Sequence, residues 1–468
     1  MGRNNTNIKN IFDRLAGDKV VWIIVVFLCM FSLLSIFSST SQLASDTTSR
    51  LDIAKDQLLT ILGGLVVIWV IYKWFGIKLI RNLSKLGFIV SFALLCILVL
   101  TAKNKLHIPF IEAKAINGAN RWLQIKGVPI SVYEIVKVAM VMYVAWAIDL
   151  LQSGGWKLLD RLSKRNRLGW LKKRFVQELI LLYFPIIITA VLTLVGGASS
   201  AVFMAGVLFL MMLVCGIKFI DIVGMGVLSI LALGGCFGLY KLTEDNEKPL
   251  FPRFATVLSD TRHGNHEENL KKLEIGTKEF YEELDAIRQP YGAKVAIKQG
   301  GPFGKGPGQS TQKYKVAVMY EDYMFSFLIE EYGLLLGGIF VIILYISLLA
   351  RGSIIARNCS DRFSKIALAG LVLLIVGQAM FHITINCDIG ILTGQTLPLI
   401  SYGKTSFLCF SIAFGIILSI SKSAEKKIQK ETNAETPLIA FESDGQHDDV
   451  REGLNDLDSF DKEDTEID

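Results

Sequence analysis

Between Gly300 and Gly333 the chain reads GGPFGKGPGQSTQKYKVAVMYEDYMFSFLIEEYG. A glycine-rich, lysine-studded loop here runs into a carboxylate, Asp322, at the start of a long apolar stretch. An ionisable group at the edge of hydrocarbon is expensive unless it is paired or faces a wet cavity, so its presence points to use. The glycines let backbone approach a ligand closely, and the lysines supply cations for an anionic one. Gly301, Gln309, Lys313 and Lys315 are the substrate-binding candidates of this loop. Asp322, Phe325, Ile329 and Glu330 share a helical stripe, so two carboxylates can line one polar cavity. The plainer alternative is an aspartate that caps the next helix, where the dipole favours negative charge.

Two other stretches carry unusual polar residues. GANRWLQI at 118–125 places Arg121 and Trp122 on a loop, where Trp suits a membrane interface. SVYEIVK at 131–137 then puts Glu134 and Lys137 at i and i+3 in an apolar run, a spacing at which they pair on one helix face. GQTLPLISYGKTS at 394–406 interrupts a helix with Pro398 and Gly403, tolerated at membrane depth only where backbone lines a cavity or is buried in protein. Ser401, Tyr402, Lys404 and Thr405 present hydroxyls and a cation there. The Gly-Lys-Thr triplet is not a phosphate loop, because the required earlier glycine is Pro398 and no strand precedes it. His263 and His266, with Asp260, Glu267 and Glu268, read as solvated loop residues, and no Ser-His-Asp order is visible.

The elements that must position these groups follow from hydropathy. The composition is 52% apolar, and runs of about 18 to 22 apolar residues recur, enough to cross roughly 30 Å of hydrocarbon. They fall at about 20–40, 57–75, 83–101, 131–151, 178–195, 199–217, 219–240, 323–350, 364–386 and 401–421. An all-α polytopic membrane protein of about ten helices is expected. The first run is too long for a signal-peptide core and is expected to be retained. Lys and Arg cluster before the first run and after the second, fourth, eighth and tenth, which places both termini in the cytoplasm. Asp322 and the segments 102–130, 242–320 and 387–400 then face outward. A helix-like stretch is expected near 266–288. The organisation expected is a cytoplasmic tail 1–19, a transmembrane domain 20–421 containing the outer loop 242–320, and a cytoplasmic tail 422–468. After Lys430 that tail carries fourteen acidic residues against Arg451 and Lys462 and reads as disordered. The net charge of +6 reflects topology and not nucleic-acid binding. The seven cysteines, mostly in or beside spans, read as packed thiols, not disulfides.

Together these stretches resemble the SEDS family (shape, elongation, division and sporulation) of peptidoglycan glycosyltransferases, which includes FtsW and RodA. The family's glycine loop, Asp and Glu-Glu-x-Gly are matched by Gly300–Gly308, Gln312-Lys313, Asp322 and Glu330–Gly333. Its late motif is matched by Asn386 and Thr396–Gly403, its Arg-Trp by Arg121-Trp122, and its Glu-x-x-Lys by Glu134 and Lys137. Departures are Val132-Tyr133 for Pro-Ser, Val195–Ser200 for Gln-Pro-Asp-x-Gly-Thr, and Lys404 for the second glycine of Tyr-Gly-Gly. The wording Gly-Ala-Asn-Arg-Trp and the charged tail look more like the division branch than the elongation branch.

The resemblance implies polymerisation of lipid II into glycan strands on the outer face, with undecaprenyl diphosphate released. Asp322 is then the general base, and Arg121, Lys313, Lys315 and Lys404 hold the pyrophosphate, with Trp122, Gly301, Gln309, Ser401 and Tyr402 completing the substrate site. Glu134, Lys137, Glu330, Asn386 and Pro398 take structural or regulatory places. A divalent cation (Mg²⁺ or Mn²⁺), a class B penicillin-binding transpeptidase, other division proteins and membrane lipids are the implied companions, at the septum of a bacterial cytoplasmic membrane. The rival classes are a flippase or other lipid-linked transporter, an elongation-type polymerase and a non-catalytic division scaffold.

Overall fold

The computed structural model describes residues 17–40, 49–102, 111–116, 119–154, 173–194, 197–217, scattered positions between 219 and 235, and residues 270–275, 277–389 and 394–426. Helices dominate: α1 (Lys19–Ser39), α2 (Arg50–Trp74), α3 (Ile77–Ala102), α4 (Val132–Gln152), α5 (Arg174–Leu194), α6 (Ala198–Val214), α7 (Lys278–Gly300), α8 (Met324–Asn358), α9 (Arg362–Asn386) and α10 (Lys404–Lys426). Seven of them, α1, α2, α3, α5, α8, α9 and α10, are long and apolar enough to cross a membrane. α4 has the length, at 21 residues, but carries Glu134, Lys137 and Asp149. Nine of the ten expected runs are thus helices here. The run at 219–240 lies mostly outside the described residues, as do 1–16, 242–269 and the acidic tail from 427, with His263 and His266.

Local sequence explains where several helices begin. Asp18 accepts from the N–H groups of Val20 and Val21 at 2.9 and 3.2 Å and starts α1. Ser49 and Asp52 form a reciprocal capping box on α2, and Asp361 accepts from Ser364 N at 3.0 Å to start α9. α9 and α10 are the central helices, with 72% and 78% of their apolar windows buried, against 22% for α3. Small residues bring helices close: a Cβ at Gly64 would stand 2.5 Å from Phe407, and one at Gly370 2.7 Å from Val141.

Charges link one end of the bundle. Asp18 pairs with Arg351, Gly17 N–H donates to Glu425, and Arg81 bridges Asp149 (3.1 Å) and Asp361 (3.0 Å). The three polar stretches lie at the other end.

Three features differ from the sequence expectation. Residues 111–131 form an antiparallel sheet, β1 (Ile111–Ile116), β2 (Ala119–Ile125) and β3 (Val128–Ser131), where a loop was expected. The helix expected near 266–288 is Lys278–Gly300 and carries Pro290 within it, a residue that ordinarily ends a helix. α8 is discontinuous: Gly333 has φ +82°, and residues Leu334–Phe340 wind as a π-helix before Val341.

Candidate active site

The segment leading into α8 is held by its backbone. Tyr402 N–H donates to Tyr320 O at 3.0 Å, Ser401 Oγ to Glu321 O at 2.8 Å, and Asn386 Nδ2 to Asp322 O at 3.0 Å. Three successive carbonyls are therefore fixed by residues of the late motif, more than sixty positions away. The first turn of α8 is capped from the same side. Phe325 N–H donates to His382 Nε2 (3.3 Å), and Ser326 N–H and Oγ both donate to Asn386 Oδ1 (2.9 Å each). His382 Nδ1 meets Gln395 O at 2.6 Å, which assigns the proton to Nδ1 and leaves Nε2 to accept. The cap position itself, Tyr323, makes no side-chain cap bond. The amides of Phe325 and Ser326 are thus served from α9. Asp322 and Glu321 remain partly exposed. Burial, and then the carboxylates of Glu321 and Asp322, push the Tyr320 hydroxyl up to about 12.

The late motif holds its own irregular shape. Leu399 is left-handed (φ +58°) and buried. Tyr345 Oη donates to Pro398 O at 2.7 Å and Ser32 Oγ to Ile400 O at 3.0 Å, so hydroxyls from α8 and α1 satisfy carbonyls that a helix would have used. Ser401 is 4% exposed, and its hydroxyl both donates to Glu321 O and accepts from Leu397 N. Both of these bonds are made within the protein, and the donated one positions Glu321.

The glycine loop packs against the protein itself. It docks backbone against backbone on the broken part of α8. Lys305 N–H donates to Glu330 O and Gly306 N–H to Glu331 O, both at 2.9 Å, while Leu334 N–H donates to Gly301 O at 2.8 Å. A Cβ on Gly304 would stand 2.3 Å from Glu331 O, and one on Gly333 2.4 Å from Pro302 O. Glycine is required here for contact with the protein itself. Beneath the loop, Glu330 is fully buried and accepts from Lys305 Nζ (2.7 Å), Ser310 Oγ (2.5 Å) and Thr311 N (2.9 Å). Its two oxygens are taken up by residues 305–312 of the loop. Lys313, 2% exposed, donates to Gly308 O (2.8 Å) and Ser38 Oγ (3.1 Å) and stands 3.6 Å from Glu331. The Lys313 ammonium is thus engaged within the protein, away from solvent. Gln309 and Lys315 are exposed on the same segment.

In α4 the expected pair exists: Lys137 Nζ to Glu134 Oε1 is 2.7 Å. The ammonium also donates to Gln378 Oε1 (2.7 Å) and Gln395 Oε1 (3.1 Å), and Gln395 Nε2 donates to Ser200 Oγ (3.0 Å). One lysine thus ties α4, α6, α9 and the late motif. Sequence reasoning missed both glutamines and His382, whose only signal is a polar residue on an otherwise apolar face.

Beside the pinned turn opens a groove of about 1220 Å³. Its walls are apolar residues of α2, α3, α4 and α10, such as Ile71, Leu83, Met142 and Ile412. Its mouth carries Trp122, Tyr320, Glu321, Tyr402, Lys404 and Thr405. Ile53 and Ile71 both line it, so at 1.5 Å per residue it runs about 27 Å along α2, close to the full hydrocarbon thickness. Trp122 is brought to the mouth by β2, whose register shifts at Lys114/Ala115 and leaves Arg121 at a bulge. The Arg121 side chain lies outside the described residues. Lys404 Nζ stands 2.6 Å from Asp56 of α2, a residue the sequence did not single out. Glu321, also missed, is hidden in sequence by its neighbour Asp322.

Among the described residues no three His, Cys, Asp or Glu side chains gather as a metal site. Among the described residues no such cluster would by itself cage the expected divalent cation.

The profile of the cell cycle protein family FTSW_RODA_SPOVE matches residues 18–426. The chain is 29% identical over 314 residues to a probable peptidoglycan glycosyltransferase FtsW of Caulobacter vibrioides, covering 67% of this chain and 68% of that one. It is 26% identical to the same-named protein of Trichlorobacter lovleyi (86% and 93%) and 24% identical to stage V sporulation protein E of Bacillus subtilis (87% and 98%). In fold it is similar to a chain of a peptidoglycan synthase complex (TM-score 0.55, 18% identity, 88% and 99% covered) and to the rod shape determining protein RodA of Thermus thermophilus (0.53, 17%, 88% and 99%). Matched along most of its length by sequence and by fold, the chain belongs to the FtsW/RodA/SpoVE family of membrane proteins.

Proposed function

We propose that this chain polymerises lipid II into glycan strands on the outer face of the cytoplasmic membrane during division, with Asp322 as general base. The observation that carries this reading is the carboxylate-bearing turn, its three carbonyls pinned, set beside the mouth of an apolar groove that runs the depth of the bundle. A polyprenyl tail fits the groove, and the sugar head then sits at the mouth. The acceptor 4-hydroxyl oxygen bonds to the donor anomeric carbon as the carbon–oxygen bond to diphosphate breaks. The hydroxyl proton passes to the Asp322 carboxylate, and undecaprenyl diphosphate leaves with the bonding electrons. Direct displacement inverts an α-linked donor to a β-linked strand.

Outward placement of the mouth is supported by the opposite end, where Arg81, Arg351, Arg362 and Lys422 collect, as the positive-inside rule asks of a cytoplasmic face. The names of the relatives support glycosyl transfer and division. A class B transpeptidase partner and a septal location go with that role, and the similarity to a chain of a peptidoglycan synthase complex supports the partner. The test is polymerisation of labelled lipid II by the purified chain with its transpeptidase. Asp322→Asn should lower the rate by about 10²–10⁴, and wild-type strands from that variant would refute the base.

A further inference from the structure

An ion pair, Lys404 with Asp56, stands at the groove mouth. Among the described residues that line the groove, Lys404 is the only cation and Glu321 the only carboxylate. Lys404 opens α10, and Leu408, one turn on, continues the groove wall. Its partner Asp56 lies one turn beyond Ile53, which also lines the groove, so the pair clips the rim where α2 meets α10. The side chains are 54% and 44% exposed. Exposed pairs of this kind contribute little net stability and open readily. The Tyr402 hydroxyl, which burial raises, also feels Asp56, Lys404 and Glu321, so the four groups share one electrostatic neighbourhood.

We infer that Lys404 binds the phosphate of a long polyprenyl lipid seated in the groove, and that Asp56 is a competing counter-ion which the phosphate displaces, so the pair selects phosphorylated polyprenyl lipids over neutral or short ones. This rests on the reading that the groove holds a lipid-linked substrate. Length argues for a polyprenyl chain, since a phospholipid acyl tail spans only one leaflet, roughly 15 Å, and the groove is almost twice that. Charge argues for phosphate, since the groove offers one cation at the end of an apolar wall.

The two members of the pair should act with opposite signs, which a merely structural ion pair would not do. Binding of undecaprenyl diphosphate to the full chain in nanodiscs, read by native mass spectrometry, should weaken on the order of tenfold for Lys404→Gln and recover in Lys404→Arg. Asp56→Asn should bind more tightly than wild type, and raising the salt should narrow that difference. Undecaprenol should bind weakly and without dependence on Lys404. Inorganic diphosphate or phosphatidylglycerol competing at equal concentration would overturn the selection. Equal weakening by Lys404→Gln and Asp56→Asn, or no effect of Lys404→Gln, would overturn the exchange. Lipid II polymerisation is measured separately. Loss of polymerisation in Asp322→Asn with lipid binding indifferent to Lys404 sinks this inference alone. Strands made by Asp322→Asn with the opposite-sign binding intact sink the catalytic reading alone.

Discussion

Two carboxylate-bearing segments, eight residues apart in one stretch of chain, are treated in opposite ways. At Glu330-Glu331 the side chains are fully buried, and three of the four oxygens take bonds from Lys305, Ser310, Thr311 and Ser38, while Glu331 Oε2 is buried without one. At Tyr320–Asp322 the backbone carbonyls are held by distant residues, and the side chains stay partly exposed. A buried charge must be satisfied by the protein, so the first pair is committed to structure. A pinned backbone leaves its side chain oriented at little further entropic cost, which is what a proton acceptor needs. The difference teaches that a carboxylate motif is read by what its oxygens meet, not by its residues.

That contrast breaks most sharply if each segment fails in the manner of the other. Asp322→Asn should show the largest effect, the 10²–10⁴ loss of rate, with an unchanged melting temperature. Its counterpart Glu330→Gln should destabilise by about 3 kcal/mol, because Lys305 loses a buried partner. Its rate per folded molecule should stay near wild type. Gly333→Ala should cost about 2–3 kcal/mol, since its left-handed backbone and its contact with Pro302 both resist a Cβ. Thermal unfolding followed in detergent measures both, and a Gly333→Ala variant with normal stability but no activity would mean that the glycine loop serves substrate after all. Asn386→Ala lies between the regions, losing the caps to Ser326 and the bond to Asp322 O. About 2 kcal/mol of stability and a roughly tenfold rate loss are expected together. Ser401→Ala should be the mildest, at about 1 kcal/mol with a severalfold rate loss, and complete inactivity there would place its hydroxyl among the substrate contacts.

Much of the architecture was legible one segment at a time. Apolar run lengths located the spans because hydrocarbon thickness sets a length that does not depend on neighbours. The Glu134–Lys137 pair was legible because i,i+3 contacts lie within one helix. The sheet at 111–131 was not, because strands of six, seven and four residues leave only a weak alternation signal. The helix through Pro290 was misplaced because local propensity argues for a stop that packing overrides.

The sequence by itself determined that this is a polytopic helical membrane protein of a recognisable family, and it singled out Asp322 as the residue to watch. Only the tertiary structure decided which polar groups remain available. Lys313 and Lys404 look alike as residues, yet one is sealed beside Glu331 and the other stands at a groove mouth opposite Asp56. Gly304 and Gly333 look like a ligand cradle and prove to be a seam between two backbones. Sequence fixes local preferences and residue chemistry. Whether a charge or a hydroxyl is already occupied depends on contacts hundreds of positions away, which only folding brings together.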